Sequence, residues 1–345
     1  MTRAHAARKL ATAAAVGGGG LGLIGGSLWG LLKVEARLAR LKIGKATTAP
    51  PDPSGLYGAH LPGTPIRLAV LGDSGAAGYG ADTPAETFGA FLATGLSDLA
   101  GRPVYLRAVA VVGAKTADLD KQIPRALAAL PDVCAIIIGT NDVTHGVRPS
   151  QSVRTLRETV ASLRSTGTKV VVGTCPDLGT LRPVAPPLRQ VARLWSRRLA
   201  AAQTIAVVES DGSSVSLGSI LGPEFEAAPA DLFGPDRFHP SPAGYRACAG
   251  AMLPTVAAAI GTGSDDGGEP PRVELVYTLS TAAVEAAEHT GTEVARAPGR
   301  GGLAPRARGV LLRRRRRHTI PEVGEVDVTP GADPVGPDAD HAPAS

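Results

Sequence analysis

The fold follows from the segment 66–78, which reads IRLAVLGDSGAAG. Its first six residues are almost all apolar, and the run ends in a glycine, an aspartate and a serine. Unbroken apolar runs of this length are typical of strands that are covered on both faces, as in parallel sheets. A Gly-rich turn follows and leads into a helix-length segment. The segment therefore predicts one strand-to-helix unit with polar residues at the carboxyl end of its strand.

The same unit recurs along residues 66–260. Apolar runs alternate with helix-length segments in which apolar residues return every three to four positions. The predicted strands are Ile66–Leu71, Val104–Val112, Val133–Ile138, Lys169–Val172 and Ile205–Val208, and the predicted helices are Ala85–Leu99, Leu119–Leu130, Val153–Leu163, Leu188–Ala201 and Ala243–Ala259. Alternation through five units predicts a three-layer α/β/α fold with a five-stranded parallel sheet and right-handed crossovers.

Composition narrows the class of protein further. The chain of 345 residues is 43% hydrophobic, which is enough for a core, but only 3% aromatic. So few aromatic side chains argue against a platform that stacks bases, and no nucleic-acid partner is expected. Cys134, Cys175 and Cys248 are too widely spread for a disulfide scaffold or for the paired cysteines of a zinc site. We therefore expect neither a metal nor a cofactor.

The N-terminal segment differs from the rest of the chain. Residues 10–32 carry no charged side chain, and a helix of this length can cross a bilayer core of roughly 30 Å. Eight of these residues are glycines, so a signal peptide, an uncleaved anchor and a loose Gly-rich arm are all open. We favour the uncleaved anchor, because the run ends in Trp29-Gly30-Leu31-Leu32 rather than in a site with small residues for cleavage.

Basic residues flank the uncharged run on both sides, so the positive-inside rule gives nearly a tie with a slight lean to a cytoplasmic domain. Directly behind the run, Val34, Leu38 and Leu41 have the spacing of a short amphipathic helix at a membrane surface. Residues 1–45 are therefore predicted to be a membrane anchor with a juxtamembrane helix. We expect a membrane-anchored protein of the cell envelope, and the side of the membrane stays open.

Two further segments lie outside the alternation of predicted strands and helices. Residues 46–65 are rich in Pro, Gly and Thr and predict a linker. Residues 261–345 predict a largely disordered tail with one brief helix over Ser280–Glu288. The tail contains an unbroken basic run, Arg313–Arg317. Such a run is able to bind anionic lipid or nucleic acid, but it is also typical of a charge block in a disordered segment.

Polar residues follow the ends of the predicted strands, which is where ligands bind in open parallel sheets. Gly72-Asp73-Ser74 follows the first strand, Gly113 the second and Gly139-Thr140-Asn141-Asp142 the third, and the pair Asp236 and His239 follows the fifth across a long loop. Neighbouring strands lie roughly 5 Å apart. If the first three strands are neighbours, Ser74, Gly113 and Asn141 line one crevice.

These residue types suit acyl transfer. Ser74 on a sharp turn is a candidate nucleophile that needs a base, and His239 is the candidate because the other histidines lie in the tails, in the linker or at the rim. Asp236, three residues earlier, is placed to orient the imidazole. The amides of Ser74 and Gly113 and the side chain of Asn141 offer three donors to an oxyanion, of which one is worth roughly 3 kcal/mol. Each residue alone also fits a cap or a turn, and only their joint placement favours catalysis.

Taken together, these four groups of residues resemble the four blocks of the SGNH/GDSL hydrolase family, in family order and over residues 66–258. The resemblance implies a flavodoxin-like sheet of order 2-1-3-4-5 and hydrolysis of carboxylic esters or thioesters without a metal. It also implies Ser74 as nucleophile and oxyanion donor, Gly113 and Asn141 as further donors, His239 as base and Asp236 as its orienting partner. The chain departs from the family pattern at Gly75, where Leu is common, and lacks the Asn that often precedes the glycine of the second block.

Other interpretations of the same residues are weaker. Gly72-Asp73-Ser74-Gly75 also matches the nucleophile motif of chymotrypsin-like proteases, but that fold needs an all-β chain with His and Asp upstream. Neither a dinucleotide-binding G-x-G-x-x-G nor a Walker A loop is present. The remaining alternative to a serine esterase or lipase is a non-catalytic, membrane-tethered binding module on the same fold.

The substrate is only partly constrained. We expect the loops Cys175–Pro187 and Asp211–Pro235 to form the walls of the site. The apolar candidates in these loops are Leu178, Leu181, Leu217, Ile220, Leu221 and Phe225. They permit an acyl group without setting its length, so lipid, acetylated glycan and acyl-thioester substrates are all open. The predicted anchor favours a lipid or an envelope ester.

Overall fold

The computed structural model describes residues 34–38, 41, 44, 48–262, 276–289, 292–296, 308–313 and 320. The uncharged run 10–32 lies outside these residues, as does most of the basic run that begins at Arg313. Within the described part of the chain, no helix combines the length and the apolar character that a bilayer span requires. The predicted anchor, the localisation and the domain boundaries therefore stay predictions.

A six-stranded mixed sheet forms the centre of the fold. Its strands are β1 (Gly55–Tyr57), β2 (Ile66–Gly72), β3 (Val104–Ala108), β4 (Val133–Ile137), β5 (Lys169–Gly173) and β6 (Ser213–Val215). The order is β1-β3-β2-β4-β5-β6, in which β2 to β6 run parallel and β1 is antiparallel to β3. The five parallel strands confirm the α/β prediction and follow the order 2-1-3-4-5. The additional edge strand β1 lies in the segment that was predicted as a linker.

Helices cover both faces of the sheet, as the three-layer prediction requires. They are α1 (Ser74–Ala77), α2 (Phe88–Ala100), α3 (Leu119–Leu127), α4 (Thr140–Thr144), α5 (Pro149–Ser165), α6 (Leu188–Glu209), α7 (Leu217–Ala227), α8 (Pro229–Leu232), α9 (Pro242–Ala259) and α10 (Leu279–Glu288). Alternate residues of β2 divide the core: Leu68 and Val70 pack with α2 and α9, whereas Ala69 and Leu71 pack with α3 and α5. Because both faces of β2 are covered, its sequence is apolar except at the half-exposed Arg67.

The predicted fifth strand, Ile205–Val208, is wrong. These residues continue helix α6, and the last strand of the sheet is Ser213–Val215. The run is apolar because this part of the helix is buried on two sides: Val207 packs into the core beneath the sheet, and Val208 packs against α10. A short apolar run that is buried all round carries no periodicity that separates a strand from a helix.

The C-terminal segment also differs from the predicted disordered tail. Helix α10 covers the brief helix that was predicted, and β7 (Val276–Thr278), β8 (Thr292–Arg296) and β9 (Arg308–Arg313) form an antiparallel sheet in the order β7-β9-β8. Leu279, Ala282 and Ala286 of α10 pack against Val208. These strands have three to six residues and are separated by Gly-, Pro- and charge-rich sequence, so their apolar periodicity is too short to stand out.

Two helices end in glycines with left-handed backbone geometry. Gly78 ends α1 with φ +76°, and Gly101 ends α2 with φ +58°. A Cβ on Gly78 would lie 2.5 Å from Cγ2 of Thr87, whereas the space around Gly101 is open. The two sites therefore share a backbone requirement and differ in crowding.

The substitution Gly78→Ala is expected to lower the free energy of unfolding by about 2–4 kcal/mol, since left-handed strain and overpacking add. The matched substitution Gly101→Ala keeps only the strain and is expected to cost about 1 kcal/mol. Urea denaturation of both variants measures the difference. Equal losses at the two positions would contradict the crowding at Gly78.

Candidate active site

Ser74 lies at the carboxyl end of the central strand β2, as the first residue of α1. The strand ends at Gly72, whose φ is +136°, and a Cβ there would overlap the carbonyl oxygen of Ile137 on β4. The buried side chain of Gln122 also accepts from the Gly72 N–H at 2.8 Å and donates to its carbonyl at 2.9 Å. A glycine and a buried glutamine therefore fix the backbone two residues before Ser74.

Three of the predicted site residues meet in one hydrogen-bonded chain. Nε2 of His239 lies 3.0 Å from Oγ of Ser74, and Nδ1 of His239 lies 2.6 Å from Oδ2 of Asp236. Oδ1 of Asp236 accepts from the backbone N–H groups of Phe238 at 2.9 Å and His239 at 3.0 Å. With the Nδ1 proton donated to the carboxylate, Nε2 is left to accept the proton of the serine hydroxyl.

The surroundings of Asp236 keep it ionised. Burial alone raises the pKa of this carboxyl group, but hydrogen bonds from the His239 ring and from the backbone of Phe238 and His239 bring the pKa below its usual value. An ionised Asp236 is able to hold one imidazole tautomer and to stabilise the imidazolium that forms when His239 takes up a proton.

Aromatic residues restrain the imidazole from two sides. The ring of Tyr79 lies 4.6 Å from the ring of His239, and the ring of Phe238 meets it edge-on at 4.8 Å. The hydroxyl of the buried Tyr245 donates to the carbonyl of Tyr79 at 2.7 Å. Tyr245 belongs to α9, directly behind His239, so this bond joins the loop after Ser74 to the helix after His239. No motif in the sequence indicated these contacts.

Gly113 lies in the loop after β3, and Asn141 lies next to this loop as the second residue of α4. Nδ2 of Asn141 donates to the carbonyl of Ala114 at 3.0 Å, next to Gly113. Gly113 has φ +82° and open space where a side chain would stand. The structure thus brings these two residues to each other, whereas neither lines the cavity that contains Ser74 and His239. Nδ1 of His145 lies 2.8 Å from the carbonyl of Asn141 on the exposed rim.

Asp142, the last residue of the third block, has a structural position. Its carboxylate is buried and accepts from the backbone N–H and the hydroxyl of Thr116, at 2.9 and 3.0 Å, and from the hydroxyl of Ser152 at 2.6 Å. Three donors satisfy the buried charge and tie α4 to the loop before α3 and to the start of α5. Asp142 therefore helps to hold α4, which contains Asn141, next to the loop that contains Gly113.

Asp73, next to Ser74, is the most perturbed acid of the site. Burial, together with the nearby charge of Asp142, raises its pKa to about 7, although hydrogen bonds from the backbone of Gly75 and Thr140 lower it. The bond from the Gly75 N–H to Oδ1 measures 3.0 Å. A carboxyl group with this pKa exchanges its proton near neutral pH, inside the folded protein and beside Ser74.

A cavity next to Ser74 and His239 is lined mainly by apolar side chains. Of the six predicted wall residues, all but Ile220 line the cavity: Leu178, Leu181, Leu217, Leu221 and Phe225. Phe233 and Phe238 also line it. The sequence pattern missed Phe233 because no periodicity marks it in a Pro- and Gly-bearing loop. The described residues contain no cluster of His, Cys, Asp or Glu that suits a metal ion.

An ion-pair cluster around the buried carboxylate of Asp177 fixes one wall of this cavity. This carboxylate, itself part of the lining, lies 3.0 Å from Arg197 and 3.4 Å from Arg193, both on α6. Arg193 also contacts Glu226 on α7 at 3.2 Å. Because Asp177 directly precedes Leu178, the cluster holds the apolar loop that connects β5 to α6.

Comparison with known proteins identifies the family of this chain. The model of the GDSL-like lipase/acylhydrolase family matches residues 70–247, more than half of the chain. The chain is 37% identical over 259 residues to the GDSL-like esterase Rv1075c of Mycobacterium tuberculosis, which covers 71% of this chain and 81% of that protein. This protein therefore belongs to the GDSL-like lipase/acylhydrolase family and is a carboxylic ester hydrolase, which confirms the resemblance drawn from the four blocks.

Solved structures with similar folds were also found. A crystal structure of TesA aligns at 23% identity with a TM-score of 0.45, covering 56% of this chain and 99% of TesA. Axe2, an acetylxylan esterase from Geobacillus stearothermophilus, aligns at 21% identity with a TM-score of 0.42, covering 58% of this chain and 95% of Axe2.

The raised pKa of Asp73 predicts a pH-dependent stability difference. Between the ordinary aspartate pKa near 4 and about 7, the folded state binds a proton that the unfolded state has lost, so this group's contribution to stability falls as pH rises through that window. The variant Asp73→Asn lacks the effect. Its free energy of unfolding minus that of wild type is therefore expected to increase from pH 4 to pH 8, by up to roughly 4 kcal/mol. Urea denaturation at both pH values tests this, and a difference that does not change with pH would contradict it.

Proposed function

We propose that this protein hydrolyses carboxylic esters through a triad of Ser74, His239 and Asp236 and an acyl-enzyme intermediate. The observation that carries the proposal is the unbroken chain of hydrogen bonds from the Ser74 hydroxyl through both ring nitrogens of His239 to Asp236. The cavity beside this chain gives an ester carbonyl access to Ser74. A binding module without turnover, the alternative on this fold, has no need of such an arrangement.

Acylation begins when Oγ of Ser74 attacks the ester carbonyl carbon and Nε2 of His239 takes the hydroxyl proton. The carbonyl π electrons move to oxygen and form a tetrahedral intermediate. As this intermediate collapses, the bond to the leaving oxygen breaks, and the imidazolium returns its proton to that oxygen, so the alcohol leaves neutral. Asp236 stays ionised throughout and stabilises the imidazolium.

Deacylation repeats these steps with water. His239 takes a proton from water while the water oxygen attacks the acyl carbonyl carbon. As the second tetrahedral intermediate collapses, the bond to Oγ of Ser74 breaks, and the imidazolium returns its proton to Oγ, so the carboxylic acid leaves and the serine hydroxyl is restored. The rings of Tyr79 and Phe238 hold the imidazole in one orientation during both halves of the cycle, because they contact it from two directions.

The negative oxygen of each intermediate is assigned to three donors, the backbone N–H groups of Ser74 and Gly113 and the side-chain amide of Asn141. An asparagine amide carries two N–H bonds. The bond from Nδ2 to the Ala114 carbonyl uses one of them and fixes the orientation of the amide, which leaves the other for the substrate. A donor held in place before reaction is worth roughly 3 kcal/mol to the transition state.

The substrate that fits this cavity best is an ester with an apolar acyl chain. Apolar residues, among them four leucines and three phenylalanines, make up most of the lining. The carboxylate of Asp177 is occupied by two arginines rather than presented to a ligand. A sugar bound here would leave its hydroxyl groups without partners, which is costly for polar groups. A lipid-like ester also agrees with a membrane anchor in residues 1–45 and with a place in the cell envelope, both of which belong to the proposal.

The triad predicts large and graded losses of activity. Ser74→Ala is expected to lower kcat for p-nitrophenyl butyrate by roughly 10⁶-fold, and Asp236→Asn by roughly 10⁴-fold, because the wrong imidazole tautomer is then favoured. Ser162→Ala, a serine-to-alanine change on the exposed face of α5, serves as the matched control and keeps wild-type turnover. Turnover by Ser74→Ala equal to that of the control would remove the basis of the proposal.

The apolar cavity predicts a change of chain-length preference. Leu221→Trp fills part of the cavity and is expected to reduce kcat/KM for an octanoate ester at least tenfold more than for an acetate ester, since only the longer chain competes for that space. Val284→Trp, at an exposed position of α10, is the control and leaves the ratio unchanged. A parallel loss on both esters would place the acyl chain elsewhere.

A further inference from the structure

We propose that the catalytic domain itself rests on a lipid bilayer through one surface, which we name the apolar surface. It consists of Val34, Leu38 and Leu41 of the segment before the domain and of Leu194 and Trp195 on α6. The proposal concerns how the folded domain lies against lipid, and it holds or fails independently of the triad.

Exposure singles these residues out. Eight large hydrophobic side chains are exposed among the described residues, and five of them belong to the apolar surface. Leu41 is 70% exposed, and the other four are between 45% and 56% exposed. Single exposed apolar residues are common, but a concentration of this kind marks a surface that another apolar phase covers.

The helical segment 34–38 is fastened so that its apolar side points away from the domain. Val34, Leu38 and Leu41 are spaced by four and three residues and therefore share one helix face. Glu35 lies on a different face, and its Oε2 accepts from the backbone N–H of Leu188 at 2.9 Å. The contact with the first residue of α6 holds the segment against the domain, and the three apolar side chains stay exposed.

The same contact brings the two parts of the apolar surface together. Leu194 and Trp195 follow Leu188 on α6 by six and seven residues, which is about 10 Å along the helix axis. Because Glu35 accepts from the backbone N–H of Leu188, the segment 34–38 lies at the start of α6, about two turns along the axis from Leu194 and Trp195.

Charge and sequence position favour a bilayer with anionic lipid as the occupant. Residues 33–51 contain Lys33, Arg37, Arg40, Lys42 and Lys45, and their single acidic residue is the one engaged by α6. The uncharged run 10–32 ends directly before this stretch. Exposed apolar side chains, a tryptophan and an excess of basic residues in the neighbouring sequence are the composition of surfaces that lie at the headgroup level of a membrane.

This placement would bring lipid close to the proposed acyl site. Arg193 and Arg197, which hold Asp177 and the apolar wall of the cavity, lie two positions before and after Trp195 on α6, and therefore on roughly the opposite face of the helix. A domain that rests on α6 therefore has this wall about one helix diameter, roughly 10 Å, from the membrane. This consequence alone depends on the proposed acyl substrate.

The two tryptophans of the chain, Trp29 and Trp195, allow a direct test. The full-length variant Trp29→Phe leaves Trp195 as the only tryptophan and is reconstituted in vesicles of phosphatidylglycerol with phosphatidylcholine brominated on its acyl chains. The expected result is a blue-shifted Trp195 emission that is at least twofold weaker than in the same vesicles without bromine. Emission that brominated lipid does not change would overturn the proposal, whatever Trp29 reports in the matched variant Trp195→Phe.

A second variant tests the contribution of the segment. The triple substitution Val34→Ser, Leu38→Ser and Leu41→Ser, in the Trp29→Phe chain, is expected to reduce the quenching of Trp195 at least by half. Its hydrolysis of p-nitrophenyl acetate is expected to stay at the wild-type level, which shows that the domain is folded. Unchanged quenching would contradict the combined surface. A blue shift in detergent that grows with protein concentration and needs no lipid would assign the surface to a second copy of the chain and overturn the proposal.

Discussion

The hydrogen bond between Ser74 and His239 is the contact around which the site is organised. It joins residues 165 positions apart, one at the end of the central strand and the other in the loop before the last helix of the domain. Each partner is held separately, Ser74 by the backbone of Gly72 and His239 by Asp236 and two aromatic rings. A 3.0 Å contact between such distant residues therefore depends on the packing of the whole sheet rather than on any local motif.

The sequence pattern predicts most of this fold, because strands that are buried on both faces must be apolar throughout. That constraint located β2, β4 and β5 closely, and the polar residues at their carboxyl ends followed from the geometry of parallel sheets. It failed at Ile205–Val208, since a helix buried on two sides is also apolar throughout. It could not locate β1, whose three residues acquire their role only by pairing with β3.

The site was predictable only where its residues follow strand ends. Gln122 sits in an ordinary helical segment, and only the folded structure shows that its amide satisfies both backbone groups of Gly72. The contacts of Tyr79 and Tyr245 likewise depend on α9 returning to the loop after Ser74. Such contacts are long-range and involve common residue types, so spacing along the chain contains no signal for them. They nevertheless decide how firmly the reacting groups are held.

Covalent labelling tests the central contact most directly. A fluorophosphonate reacts with a serine hydroxyl in proportion to its activation, and peptide mass spectrometry locates the adduct. We expect one adduct, on Ser74, and labelling of the variant His239→Gln that is slower by roughly 10³-fold or more, since the hydroxyl then has no base. An adduct on another residue, or equally fast labelling of Ser74 in both proteins, would contradict the activation of Ser74 by His239.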